Sequence, residues 1–332
     1  MRKNEEAPRV SIVICTYNQQ DFVRETIGSA LAQTYPNIEI VLTDDGSTDD
    51  TPRILREYAQ RFPDKVKVVL SEKNTGIPGN LNRGLAVCMG EWLVCLDGDD
   101  QMLPQKIKKQ VTLLQQHPEA TGCYHDSEVF ESETGRVLGL MSRIYNGTTI
   151  LKQGTIRDWF VPRNFFLPSS VMYSAAARPA HGYDERLRYL SEVVFFVEVF
   201  RRGTLLAMNE VLTRYRRHAH NVTDDPTARS LMPEYELMAY AILEARYPEL
   251  HSALMKLRRS CRLAQAVRCY REGDRKRGQA IIGNIIREGA VIQGLVVLAG
   301  VSLLGRRLVQ MAGGQPASRP GWVKRLVRLI LG

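Results

Sequence analysis

Glu91-Trp92-Leu93-Val94-Cys95-Leu96-Asp97-Gly98-Asp99-Asp100 joins an apolar run to three crowded carboxylates. A strand that buries its body and presents acidic groups at its carboxyl end suits a hard divalent cation, Mg²⁺ or Mn²⁺, which prefers oxygen ligands. Such a cation commonly holds the phosphates of a substrate. Taken alone, an Asp-rich turn is also what any polar loop after a strand looks like, so the rest of the chain must decide.

Upstream, strand and helix patterns alternate. Residues 9–15, Arg9-Val10-Ser11-Ile12-Val13-Ile14-Cys15, form an apolar, β-branched run between Pro8 and the polar Thr16-Tyr17-Asn18. A helix is expected over 21–33, with Phe22, Ile27, Ala30 and Leu31 on its apolar side. The cycle repeats as a strand over 38–43, an acidic turn, and a helix over 52–62 that Thr51 can cap and Pro52 can open. A strand over 66–70 and a helix over 79–89 precede the strand that ends in Asp97. Nearly continuous apolar strands separated by helices predict an α/β fold with a mainly parallel sheet covered on both faces. In such sheets ligands bind beyond the carboxyl ends of the strands. Thr16-Tyr17-Asn18, Asp44-Asp45-Gly46-Ser47-Thr48-Asp49-Asp50 and Asp97-Gly98-Asp99-Asp100 should therefore converge on one edge. No GxGxxG follows the first strand and no P-loop lysine motif occurs, which disfavours a dinucleotide fold and a nucleoside triphosphatase.

In this order the motifs resemble the family 2 glycosyltransferases, whose fold is the nucleotide-diphospho-sugar transferase (GT-A) fold. The carriers are residues 10–18, then Gln33-Thr34-Tyr35-Pro36-Asn37-Ile38-Glu39-Ile40-Val41, Asp44-Asp45-Gly46-Ser47-Thr48-Asp49, Asn74-Thr75-Gly76, and Gly90-Glu91-Trp92-Leu93 leading to Asp97-Gly98-Asp99-Asp100. The resemblance spans residues 10–221, about two thirds of the chain. It implies that Thr16, Tyr17, Asn18 and Asp45 receive the nucleobase and ribose. It also implies that Asp97 meets the ribose or the metal, and that Asp99 binds the metal directly. Asp44, Asp49 and Asp50 read as turn and cap residues. Where the family often carries Ala-Arg-Asn before a Gly, this chain has Asn80-Leu81-Asn82-Arg83-Gly84. Leu81 takes the usual Arg position, and Arg83 is the open alternative.

Beyond a helix over 104–116, strand-like stretches at 122–130, 137–141 and 165–172 are expected where acceptor-side elements of this fold normally lie. Gly182-Tyr183-Asp184-Glu185 resembles the family's Gly-Phe-Asp-Glu turn, and seven residues later Glu192 opens an apolar helix. The family usually has Glu-Asp here with the Asp as base; Ser191-Glu192 keeps a carboxylate one methylene longer, so Glu192 is the expected general base. Tyr215-Arg216-Arg217-His218-Ala219-His220-Asn221 resembles the family's Tyr-Arg-x-His-x-x-Asn segment. It implies His218 as a further metal ligand and Arg216 or Arg217 as a phosphate contact. The QxxRW motif of processive synthases is absent, which favours transfer of a single sugar.

Charge is unevenly placed. The net charge is +9, yet residues 246–332 hold 17 Lys+Arg against 4 Asp+Glu, leaving 28 against 32 in the other 245 residues. Such asymmetry points to an anionic partner. Residues 289–305 carry no charge, a length at the short limit for a bilayer span. After a Gly/Pro/Ser linker at 313–321, residues 322–331 alternate apolar and basic positions behind Trp322, as an interfacial helix on anionic lipid does. No nucleic-acid reader motif accompanies the charge.

The expected organisation is a GT-A domain over 8–225, a helical region over 230–310, and a membrane-associating tail over 311–332. Six cysteines without a CxxC pair read as reduced and mostly buried, and no apolar secretory segment opens the chain. Together these readings imply a metal-dependent inverting transferase, cytoplasmic and peripheral to the inner membrane face. It would move one sugar from a nucleotide-diphospho-sugar, a UDP-sugar for preference, to a glycan or lipid-linked acceptor in cell-surface polysaccharide synthesis. The alternatives are a nucleotide-sugar-binding scaffold without turnover and a polyprenyl-phosphate glycosyltransferase.

Overall fold

The computed structural model describes residues 7–149, 151–160 and 166–287. In chain order its elements are β1 (Val10–Thr16), α1 (Val23–Leu31), β2 (Ile38–Asp44), α2 (Thr51–Arg61), β3 (Val66–Leu70), α3 (Ile77–Ala86) and β4 (Trp92–Asp97). There follow β5 (Gln101–Met102), α4 (Lys106–Gln116), β6 (Ala120–Glu131), β7 (Val137–Leu140), α5 (Ile156–Trp159) and β8 (Met172–Ser174). The last are α6 (Ser191–Phe200), β9 (Thr204–Arg217), α7 (Pro226–Arg246), α8 (His251–Glu272) and α9 (Arg275–Arg287).

One mixed sheet runs in the order β3-β2-β1-β4-β8-β6-β9-β5, with β7 added beside β6. Its first four strands are parallel, as βαβ crossovers require. On one face Val10, Ile12, Ile14, Ile40, Leu42, Val94 and Leu96 pack against Val23 and Ile27 of α1, Leu55 of α2, and Ile107 and Val111 of α4. Burying each such side chain contributes about 1.5–3 kcal/mol. On the other face α3 lies so close that a Cβ at Gly84 would stand 2.5 Å from Thr43 Cγ2 and 2.7 Å from Val13 Cγ1. Burial on both faces explains why these strands read as unbroken apolar runs.

Two sequence expectations change. The strand expected over 165–172 begins only at Met172, because Pro168–Ser170 forms a 3-10 turn in which the Ser170 hydroxyl bonds back to the Leu167 carbonyl at 2.6 Å. Thr51 does not cap α2: its backbone N–H is taken by Asp49 Oδ1 at 2.9 Å, while its hydroxyl accepts the Gln19 N–H at 2.8 Å. The segment ending in Tyr215-Arg216-Arg217 is a fourteen-residue strand, β9, parallel to β6.

Lys106 is wholly buried at the start of α4, its Nζ donating to Gln110 Oε1 at 2.9 Å. Burial lowers its pKa from 10.5 to about 7. Between those values the unfolded chain binds this proton and the folded one does not, so this residue's contribution to stability rises with pH across that window. Lys106→Met should therefore raise the melting temperature at pH 7, with the gain narrowing towards pH 10. Melting curves at the two pH values check this, and a loss at pH 7 or an equal shift at both refutes it.

Residues 1–225 and 226–332 separate into two compact units. In the second, α8 and α9 form a hairpin about Gly273, whose φ of +90° favours glycine, and Leu263 and Ala266 pack on Ile282 and Ile285. Among the described residues no helix is long and apolar enough to cross a membrane. The uncharged run at 289–305 and the basic tail at 322–331 lie outside the described residues.

Candidate active site

The carboxyl ends of β1, β2 and β4 bring the three polar segments together. Asp45 N–H donates to the Thr16 carbonyl at 3.1 Å, and Gly98 N–H donates to the Cys15 carbonyl at 3.0 Å. A side chain at position 98 would collide with Gln19, with Thr16 Cγ2 at 2.8 Å and with the Cys15 carbonyl at 2.9 Å, so glycine is needed between the two carboxylates.

At the first strand end Tyr17 is 46% exposed. Asn18 adopts φ +51°, a conformation that Asn tolerates, and is locked to the second loop through Ser47 and Thr48. Thr16 is buried, its hydroxyl donating to the Thr43 carbonyl and Asp44. Asp44 also receives the N–H and hydroxyl of Ser47, the role of a turn residue. Asp45 is held on all sides: it accepts from Thr75 N–H and hydroxyl, from Gly76 N–H at 2.7 Å, and from Arg83 Nη2 at 2.6 Å. Arg83 is thus the cation that meets Asp45, while Leu81 sits in the core.

At the β4 end the three carboxylates differ. Asp100 is fully buried and staples the loop, accepting the Arg216 backbone N–H at 3.1 Å and the Ser169 hydroxyl at 3.0 Å. Asp97 is half-buried; burial first, then the charges of Asp99 and Glu192, push its pKa up to about 7, with Ser169 offsetting part. Asp99 Oδ2 lies 2.9 Å from His218 Nε2. His218 Nδ1 accepts the His220 N–H at 3.2 Å, so the proton sits on Nε2 and points to Asp99.

Arg216 and Arg217 are engaged within the protein. Arg216 is 5% exposed; its guanidinium meets the Asp99 carbonyl at 2.8 Å, Glu25 at 2.5 Å and Ser132 at 3.3 Å, between the rings of Phe22 and Phe130. Arg217 pairs with Asp224 at 2.5 Å. Neither presents an open fork for phosphate. Ser169 and Glu25 carried no sequence signal of their own, because each acts through partners remote in the chain, and Phe22 read only as part of the apolar side of a helix.

Glu192 stands in the first turn of α6. Burial raises its pKa above the ordinary carboxylate value, offset in part by a hydrogen bond from its own backbone N–H. The preceding Leu190 holds φ +60°, unusual for a branched side chain. Asn82 of α3 clamps the turn that leads into this helix, bonding Tyr183 N–H at 2.7 Å and Glu185 at 3.0 Å.

Among the described residues no three His, Cys, Asp or Glu side chains are gathered as a metal cage, so the expected set of Asp97, Asp99 and His218 is not assembled as three ligands. The donor set still fits a hard divalent cation, which needs only one or two carboxylates when water and substrate phosphate complete its shell. Burial is the main cause of the raised Asp97, and positive charge there would offset the part that comes from Asp99 and Glu192.

A half-parallel sheet with its acidic edge opposite a carboxylate-bearing helix has the form of a GT-A glycosyltransferase. The model of glycosyl transferase family 2 matches residues 11–170. An uncharacterized glycosyltransferase of Haemophilus influenzae is 30% identical over 227 residues, covering 66% of this chain and 68% of that protein. An uncharacterized Mycobacterium tuberculosis protein is 32% identical over 217 residues, covering 64% and 60%. The chain therefore spans only about 60% of the length of that relative. Among solved structures, Staphylococcus aureus TarS 1-349 in complex with UDP-GlcNAc aligns at TM-score 0.64 and 17% identity, covering 97% of this chain and 89% of that one. The mannosyltransferase PcManGT of Pyrobaculum calidifontis, in complex with GDP-Man and Mn²⁺, aligns at TM-score 0.59 and 17% identity, covering 98% and 86%. The chain belongs to glycosyl transferase family 2.

Proposed function

We propose that this enzyme transfers a single sugar, with inversion, from a nucleotide-diphospho-sugar to an acceptor hydroxyl, using a divalent cation. The observation that carries the reading is the closeness of Asp97, Asp99 and Glu192: two carboxylates on the donor side and one on the facing helix, near enough for Asp97 to feel both others. The Thr16-Tyr17-Asn18 loop and Asp45 receive base and ribose, with Asp45 fixed in place by Arg83, Thr75 and Gly76. Asp97 and Asp99 hold the cation, and His218 orients Asp99. A cation there supplies charge neutralisation for the departing diphosphate. Glu192 takes the acceptor proton as that oxygen attacks the anomeric carbon, and its raised pKa suits a base.

A UDP-sugar is favoured as donor and a glycan or lipid-linked acceptor as recipient, in cell-surface polysaccharide synthesis. TarS bound to UDP-GlcNAc and PcManGT bound to GDP-Man with Mn²⁺ support donor class and cation. The basic, Trp-bearing stretch at 322–331 supports attachment to an anionic membrane face. Melting curves of the full chain with a panel of UDP- and GDP-sugars, with and without Mn²⁺ or Mg²⁺, test the reading, followed by flotation with anionic vesicles. Stabilisation by a UDP-sugar only when cation is present is expected. If no nucleotide sugar stabilises the chain, the reading fails. Binding without transfer to any of a panel of acceptors would leave a scaffold.

A further inference from the structure

A small pocket opens on β6, one strand beyond β8 and outside the residues assigned so far. It is lined by Tyr124, Asp126, Ser127, Ser142, Phe166 and Leu167 among others, and has room for about one water-sized group, ≈ 10 Å³. The Ser127 hydroxyl, on a residue 1% exposed, is buried in this wall and has no hydrogen-bond partner in the protein. A buried hydroxyl left unpaired is costly, and native structures seldom keep one without a use. Asp126 is 8% exposed. Its Oδ1 accepts the Ser127 and Ser142 N–H groups at 2.8 and 3.0 Å, and its Oδ2 accepts the Ser142 hydroxyl. A carboxylate has about four lone-pair sites, so one on Oδ2 is left over.

Sheet register sets where this pocket lies. Tyr173 of β8 pairs with Leu93 of β4 on one side and with Gly122 of β6 on the other, and both neighbours run antiparallel to it. Four residues further along these co-directional strands stand Asp97 and Asp126. Two strand spacings, about 10 Å, separate them. From the other side, the Phe166 ring bridges Tyr124, at 5.1 Å, and Phe196, at 5.6 Å, one turn beyond Glu192 on α6. The pocket therefore lies on the strand two places from β4, beside a ring contact that reaches α6.

We propose that Asp126 and Ser127 form a subsite for one sugar hydroxyl, which donates its proton to Asp126 Oδ2 and accepts the Ser127 O–H. The half-buried Phe166 ring gives the sugar an apolar surface beside it. The pocket takes a single hydroxyl and no larger substituent, so it reads the sugar at one position. This rests on the transferase reading above, and the hydroxyl belongs either to the donor sugar or to the acceptor.

Ser127→Ala in the full chain, with Mn²⁺ present, separates the two sources. If the hydroxyl is the donor's, calorimetry shows UDP binding as in wild type, while the extra affinity of a UDP-sugar over UDP falls about tenfold. If it is the acceptor's, UDP-sugar affinity holds, and binding of methyl hexopyranosides to the UDP-loaded chain weakens about tenfold in saturation-transfer NMR. Ser127→Val, which fills the pocket, should reproduce whichever loss is seen, and Ser127→Cys replaces the alanine variant should that one not fold. A variant that melts as wild type and loses nothing in either arm overturns the subsite alone. A wild-type chain that binds neither UDP nor any UDP-sugar overturns the transferase reading and the subsite with it.

Discussion

Asp99→Asn is expected to abolish cation-dependent donor binding and to cut transfer by about a hundredfold or more. The substitution is chosen for what it leaves alone. An asparagine keeps the size of the side chain and can still meet His218 Nε2, now 2.9 Å from the carboxylate. The Asp99 carbonyl goes on receiving Arg216 Nε at 2.8 Å, so the loop stays anchored. Only the charge is removed, and with it the main reason for a hard cation to settle there. Titrating Mn²⁺ by electron paramagnetic resonance, with UDP present, reads the cation directly. Unchanged Mn²⁺ affinity in the variant would take Asp99 out of the cation site, whatever its activity.

Glu192→Gln should separate binding from chemistry. The glutamine preserves shape at the start of α6 and cannot accept a proton, so UDP-sugar affinity holds while kcat falls about 10²–10⁴-fold. On the proposed function Glu192 is the base, and its raised pKa gives the pH profile a sign: the carboxylate is protonated as pH falls through that pKa, so kcat should rise with pH across it. The rising limb should lie above the ordinary carboxylate range and vanish in the glutamine variant. Turnover near that of wild type would assign the proton transfer to another group.

How much of this was legible beforehand follows from the kind of interaction involved. The parallel half of the sheet is written locally, in apolar runs of strand length punctuated by polar turns, and reading them located β1 to β4. The mixed half is written less plainly. Pro168 and Ser170 break what reads as a strand, and β9 mixes charged with apolar positions because its middle, Asn209 and Glu210, is exposed while both its ends are largely buried. The carboxylates stood out as a motif, whereas their supports did not. Ser169 reaches Asp100 across 69 positions and Arg216 reaches Glu25 across 191, and no periodicity marks such pairs. Arg216 and Arg217 show the converse: two basic residues in a suggestive segment, whose charges the fold spends on its own carboxylates.

Phe22 ties the two ends of the site together. It follows the Thr16-Tyr17-Asn18 loop by only four residues, yet its ring stacks on His218 at 4.4 Å and lies 5.2 Å from the Arg216 guanidinium. The Thr16-Tyr17-Asn18 loop and the Asp99–His218 pair are thereby mounted on one aromatic plate. On the proposed function that plate sets a fixed gauge between nucleobase and phosphates. The enzyme would then measure its donor by length, admitting a diphosphate and penalising a monophosphate or triphosphate whose last phosphate falls short of the carboxylates or overruns them.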